Sequence, residues 1–203
     1  MSPGERERVL VNLGSGPREA VSLPGYFKDW KQLRVDVDPL VEPDIVADLT
    51  DLSPIPDNHA DAVWASHCIE HLYEHQVMTA LNEFRRVVRE DGFVCVMVPD
   101  LQAVASYVAA DRMNETLYDS PAGPITPHDI FFGYGPAIAS GRTSMAHRCG
   151  FTPGVLLRCF EKLSFGEVVL RRRDESLELV ALARVTPPRD EDDREALFTA
   201  LGL

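Results

Sequence analysis

Residues 9–16 read VLVNLGSG and residues 34–39 read RVDVDP. Each joins a short, β-prone apolar run to a turn: Gly14-Ser15-Gly16 ends the first, Asp38-Pro39 the second. Three more runs follow: Ile45-Val46-Ala47 before Asp48, Ala60 to Ser66, and Gly92 to Val98 before Pro99. All are mostly apolar rather than alternating, as expected of strands covered on both faces of a parallel sheet. Between the fourth and fifth, Leu72, Val77, Leu81, Phe84 and Val88 recur near helical spacing. Arg85, Arg86 and Arg89 crowd the last turns of that helix, and Asp91-Gly92 ends it. The alternation predicts an α/β fold with a doubly wound, mostly parallel sheet. The first crossover, residues 17–32, contains Pro17, Pro24 and Gly25 and lacks an apolar stripe. Its helix is expected to be short or broken.

Residues 101–113 read as a helix. Residues 119–154 hold five prolines and six glycines and read as a long loop, the expected lid over a site. Residues 155–163 read as another helix. Phe165–Arg173 and Leu177–Val185 read as an antiparallel terminal hairpin turning at Asp174-Glu175-Ser176. Pro187-Pro188 marks the end of a domain spanning 1–187, with 188–203 as an acidic C-terminal tail that opens on RDEDDRE and finishes in a short apolar, helix-like end.

The 203 residues fit one domain, and 20 Lys and Arg against 32 Asp and Glu leave a net charge of −12. That balance argues against nucleic acid and against an anionic membrane as partners, since both need a basic face. Charges stand where a signal peptide needs its apolar core, so a cytoplasmic location is expected. Cysteines 68, 95, 149 and 159 form no CxxC pair and read as free thiols. The basic triplet Arg171-Arg172-Arg173 reads as a solvated strand edge.

A Gly-Ser-Gly turn after a strand lets backbone approach a ligand closely. Asp36 stands 22 residues beyond Gly14, at the end of the second strand, where an ionised carboxylate accepts from both hydroxyls of a ribose. Together they point to an adenosine-containing cofactor. The third glycine of a dinucleotide fingerprint is replaced by Glu19, which argues against NAD and NADP.

From VLVNLGSG and RVDVDP through DIVADLTDLSPIPDNHADAVWASHCIEHL (44–72) and LNEFRRVVREDGFVCVMVP (81–99), the chain resembles class I S-adenosylmethionine-dependent methyltransferases of the type 11 kind. The resemblance runs continuously through the first half and implies a seven-stranded Rossmann-like sheet whose last strand is antiparallel. It implies S-adenosylmethionine as cofactor, with Asn12, Gly14, Ser15 and Gly16 around its methionine and ribose. Asp36 and Val37 would lie at the ribose, Asp48 and Leu49 at the adenine, and Ser66 and His67 at the methyl-transfer zone. The chain departs from the family at Asn12, where Asp is common, at Arg18, and at Glu90-Asp91-Gly92.

His67-Cys68-Ile69-Glu70-His71 also fits H-x-x-E-H, a zinc-protease pattern. With His67 at a strand end the motif bends around a turn, so no metal is expected. Glu70 and His71 are expected to brace the loop by hydrogen bonds, and His75 to be solvated. The 120–160 segment carries Arg142, Arg148 and Arg158 against Asp129, a local charge of +2. Arg142 and Arg148 are therefore candidate contacts for an anionic acceptor. His67, His128 and His147 are candidate catalytic bases. The expected function is methyl transfer to a small, anionic molecule by in-line displacement, from a monomer or homodimer. The alternative is a non-catalytic protein of the same fold that binds the cofactor or a partner.

Overall fold

The computed structural model describes residues 6–18, 23–120 and 122–203. Seven strands form the main sheet: β1 Val9–Leu13, β2 Lys31–Asp36, β3 Ile45–Val46, β4 Ala60–Ser66, β5 Val88–Pro99, and then β8 Glu167–Arg173 and β9 Glu178–Arg184. A separate hairpin pairs β6 Tyr118–Ser120 with β7 Gly123–Ile125. The main sheet runs β3-β2-β1-β4-β5-β9-β8. Pairings among β1 to β5 are parallel, and β9 is antiparallel to both neighbours. The order reverses between β1 and β4, which opens a crevice at the carboxyl edge where such sheets bind ligands.

The helices are α1 Glu74–Val87, α2 Leu101–Ala109, α3 Pro127–Phe132, α4 Gly135–Ala139, α5 Pro153–Phe160 and α6 Glu191–Leu201. One face of the sheet packs on α1 and α5 through Val63, Val94, Leu81, Phe84, Leu156 and Phe160. The first crossover keeps only a 3₁₀ turn at Gly25–Phe27 among its described residues, as its prolines predict. Glu19 lies outside the described residues.

The last residues do not trail away as an acidic tail. Asp190 caps α6 by accepting from Asp193 N, and Leu197, Phe198 and Leu201 are buried on the second face against Trp64, Phe93 and Leu182. This helix shares the second face of the sheet with the Gly25–Phe27 turn. Nor is the 171–173 triplet merely solvated. Arg171 pairs with Glu195 and lies over the Phe198 ring, and Arg172 pairs with Asp100 at 2.9 Å. The expected loop at 119–154 is also more ordered than its prolines suggest. Thr126 caps α3 in a capping box with Asp129, and Pro127 supplies a preset first helical residue.

A recess of about 1,360 Å³ lies at the amino-terminal edge of the sheet among Arg6, Trp30, Asp61 and Phe93. The glycine turn and the functional side chains gather at the opposite edge.

Candidate active site

β1 ends in a turn with Gly14 at φ +59° and Gly16 at φ +58°, both in the left-handed region where a side chain is strained. A Cβ on Gly14 would stand 2.6 Å from Cys68 Cβ, so the absence of a side chain lets β1 and the loop after β4 close on each other. Asn12 and Ser15 are buried, and Ser15 N donates to Val35 O. The turn is held from outside by Arg34, which is 3% exposed. Its guanidinium donates to Gly16 O, Val41 O and Glu42 O, tying the glycine turn to the loop after β2. Nothing in the motif marked Arg34 in advance.

Asp36 closes β2. Its Oδ2 accepts from Gly16 N at 2.9 Å and its Oδ1 from Asp38 N at 2.9 Å. Each oxygen keeps a lone pair for a ligand. Beside it Val37 and Leu40 are 56% and 88% exposed, an uncovered apolar surface of the kind an adenine ring occupies. Asp48 Oδ1 is taken by Thr50 N and Oγ1, which leaves Oδ2 free. Leu49 packs on the core next to it. The loop beyond is fixed from α1: Glu83 accepts from Leu52 N, and Arg86 donates to Leu52 O and Ile55 O. These backbone positions fit an S-adenosyl cofactor.

β4 delivers Ser66 and His67 to the same edge. His67 N donates to Met97 O, and the residue takes φ +50° as the chain leaves the sheet. Its Nε2 lies 2.6 Å from Glu178 Oε1, and its Nδ1 lies 3.4 Å from Glu70 Oε1. Glu178 comes from β9. Because that strand is antiparallel, its first residue sits beside Pro99, at the carboxyl edge of the parallel strands. Packing around the ring disfavours the charged form, yet the two carboxylates prevail and push the His67 pKa up to about 10. The ring keeps 40% of its side-chain surface open, so solvent screens part of that attraction. His67 is an imidazolium at neutral pH, a hydrogen-bond donor and not a base. Glu178 also accepts from Ser176 Oγ at 2.6 Å. Burial and the nearby Glu178 and Asp129 push the neighbouring Tyr118 up to about 12, so its phenol stays protonated.

Behind His67 the chain makes a 3₁₀ turn over Ile69–His71. The motif therefore bends as expected and does not present i, i+4 histidines on a helix. Glu70 is 1% exposed. Its main-chain oxygen does brace the loop, accepting from Arg148 N and Cys149 N. Its carboxylate does not, because neither oxygen has a hydrogen-bond partner among the described residues. Burial alone would push this carboxyl up, but the His67 imidazolium, with Nδ1 3.4 Å away, prevails and holds it below the usual carboxylate range. His71 Nδ1 bonds Ala146 O at 3.2 Å and His147 Nδ1 bonds Ile130 O at 2.7 Å. Burial lowers the His147 pKa, keeping that ring neutral.

The structure thus brings His67 and His147 together and leaves the other lid candidates outside. His128 is exposed against the Phe132 ring, and Asp129 beside it is engaged with Thr126 and Gly135 instead. Arg142 is exposed. Arg148 is exposed too, with its guanidinium over Tyr73 and NH1 donating to His71 O.

Sheet order, glycine turn and acidic second strand define the class I S-adenosylmethionine-dependent methyltransferase architecture. Residues 25–96 match the family described as methyltransferase domain. Among solved structures, an S-adenosylmethionine-dependent methyltransferase from Archaeoglobus fulgidus is 15% identical, with a TM-score of 0.55 over 87% of this chain and 86% of that one. The 1,6-didemethyltoxoflavin-N1-methyltransferase of Burkholderia thailandensis, solved with 1,6-didemethyltoxoflavin and S-adenosylhomocysteine, is 16% identical, with a TM-score of 0.53 over 90% of this chain and 72% of that one. No curated protein matches the chain. The chain therefore has the fold of S-adenosylmethionine-dependent methyltransferases, and its residues 25–96 are similar to the methyltransferase domain family. Among the described residues no helix is long and apolar enough to cross a membrane.

Proposed function

We propose that the chain transfers the sulfonium methyl to a small molecule held between the end of β4, Glu178 and the 118–148 segment. The observation that carries this reading is the position of His67. It shares one edge, and one loop contact through Cys68, with the Gly14 turn, which supports a reading in which the reacting methyl lies beside the His67–Glu178 pair. In this reading Gly14, Ser15 and Gly16 carry the methionine and ribose part of the cofactor. Asp36 accepts from the ribose hydroxyls, Val37 lies on the adenine, and Asp48 Oδ2 receives the adenine amino group, with Leu49 behind it. Bound cofactor supplies an electrophilic methyl on a sulfonium that becomes neutral as the methyl leaves.

The protein's share is alignment. A lone pair held near attack distance turns an encounter into a unimolecular step. His67 donates a hydrogen bond to the acceptor. With Arg142 and Arg148 on the exterior, an anionic acceptor draws its counter-charge from His67. The net charge of −12 supports a small acceptor over a nucleic acid.

Calorimetry with S-adenosylhomocysteine tests the cofactor half. Asp36→Asn places an amide NH₂ against a backbone N–H and loses charge-assisted bonds of about 1.5–3 kcal/mol, so affinity should fall about tenfold to a hundredfold. A labelled-methyl screen of matched acids, amines and phenols tests the acceptor half. Unchanged affinity in Asp36→Asn refutes the cofactor assignment, and transfer only to nucleic acid or protein refutes the small acceptor.

A further inference from the structure

The carboxylate of Glu70 has no hydrogen-bond partner among the described residues although it is 1% exposed. Leaving an ionised group so placed is costly unless a positive charge meets it. The two imidazoles beside it do not supply one by hydrogen bonding. The oxygens of Ala146 and Ile130 only accept, so Nδ1 of His71 and Nδ1 of His147 carry the ring protons. A neutral imidazole bonded in this way keeps its lone pair on Nε2. The ligand atoms of Glu70, His71 and His147 all lie within 4.8 Å of one another. The His67 imidazolium stands 3.4 Å from Oε1, short of a hydrogen bond, and a Glu70 oxygen and a ring nitrogen from each of His71 and His147 converge on one small space. The second-shell pattern is also in place, since ligating histidines commonly donate their other N–H to a backbone carbonyl, which fixes tautomer and orientation.

We infer that Glu70, His71 and His147 bind a divalent transition-metal ion of the zinc class. Two nitrogens and one oxygen suit zinc or iron(II) better than calcium or magnesium, which prefer all-oxygen shells. Ligands about 2.0–2.1 Å from a tetrahedral ion stand roughly 3.3 Å apart, so small side-chain rotations close the set. A three-residue set leaves a position for water or an acceptor oxygen. The H-x-x-E-H stretch alone did not predict this site, because its histidines do not share a helix face. The second histidine arrives from residue 147, brought in by the contact of His147 N with Phe132 O. Placing the ion on the acceptor side rests on the methyl-transfer reading above. The binding itself does not.

The test uses the full chain, dialysed against chelator and titrated with zinc(II) by calorimetry and cobalt(II) by visible absorption. One equivalent should bind, and the cobalt complex should show the intense bands of a low-coordinate site. His147→Ala and Glu70→Gln should each weaken binding at least about a hundredfold, while His75→Ala and His128→Ala leave it unchanged. His147→Ala alters a half-buried ring, so it serves even where Glu70→Gln fails to fold, with circular dichroism confirming the fold. No stoichiometric binding, or binding equal in His147→Ala and the parent, overturns the inference. S-adenosylhomocysteine affinity, measured on the same metal-free protein, reports separately on the cofactor reading.

Discussion

Replacing Gly14 by alanine perturbs the active-site edge in two separable ways. The residue sits at φ +59°, where an L side chain costs roughly 1–2 kcal/mol. The new Cβ would also stand 2.6 Å from Cys68 Cβ, an atom fixed to backbone that cannot swing aside. Overpacking of this kind costs about 1–3 kcal/mol. The sum, about 2–5 kcal/mol, divides between global stability and the shape of the cofactor cradle. Urea unfolding should show a loss of at least about 2 kcal/mol, and S-adenosylhomocysteine affinity should fall at least about tenfold. Gly25 is the control: its φ is ordinary and no atom lies within 4 Å of an added Cβ, so Gly25→Ala should be neutral or slightly stabilising. In the Gly14→Ala background, Cys68→Gly should recover the contact part and leave the dihedral part, a coupling of about 1–3 kcal/mol in a double-mutant cycle. Stability and affinity within about 0.5 kcal/mol of the parent in Gly14→Ala would refute the reasoning.

Arg34→Met leaves Gly16 O, Val41 O and Glu42 O without their donor, so stability in urea should fall by about 3 kcal/mol or more, with weaker S-adenosylhomocysteine binding. Phe198→Ala removes a fully buried ring beneath Arg171 and should cost about 3–5 kcal/mol in the same assay. Burial pushes Asp61 up, but the Arg6 guanidinium and Val9 amide prevail and hold its folded pKa low; Asp129 is held low likewise by Thr126 and Gly135. Depressed folded values give stability that is present above the unfolded pKa of about 3.9 and lost as pH falls through the folded ones. Urea midpoints should therefore drop on acidification from about pH 6 to about pH 3, and Asp61→Asn should flatten that drop.

The parallel half of the fold was legible because its signals are local. Apolar runs of strand length, a helix of 3.6 period and glycine punctuation each lie within a few adjacent residues. Asp36 was legible for the same reason, standing at a strand end a fixed step beyond the glycine turn. The acceptor side was not, because it is assembled from distant parts. Glu178 reaches His67 only through the antiparallel sense of β9, and His147 reaches Glu70 only through the packing of α3. Basic residues in the lid looked like anion contacts by composition, but exposure and the Tyr73 ring claim Arg148 first. Charge also misled at the carboxyl end. RDEDDRE reads as a solvated tail, although its acids cap α6 and pair with Arg184 and Arg171, while the apolar residues behind them cover the sheet.

That last helix has a consequence for how the chain is made. Synthesis runs from the amino end at about 5–20 residues per second, and early segments begin to fold first. Here the face carrying Trp64, Phe93 and Leu182 waits for Leu197, Phe198 and Leu201. A nascent chain stalled before residue 190 holds every strand of the sheet yet exposes one side of it, as chaperone clients do. Translation of residues 190–201 covers that face, and a chain cut short of them would be a sticky intermediate rather than a smaller stable protein.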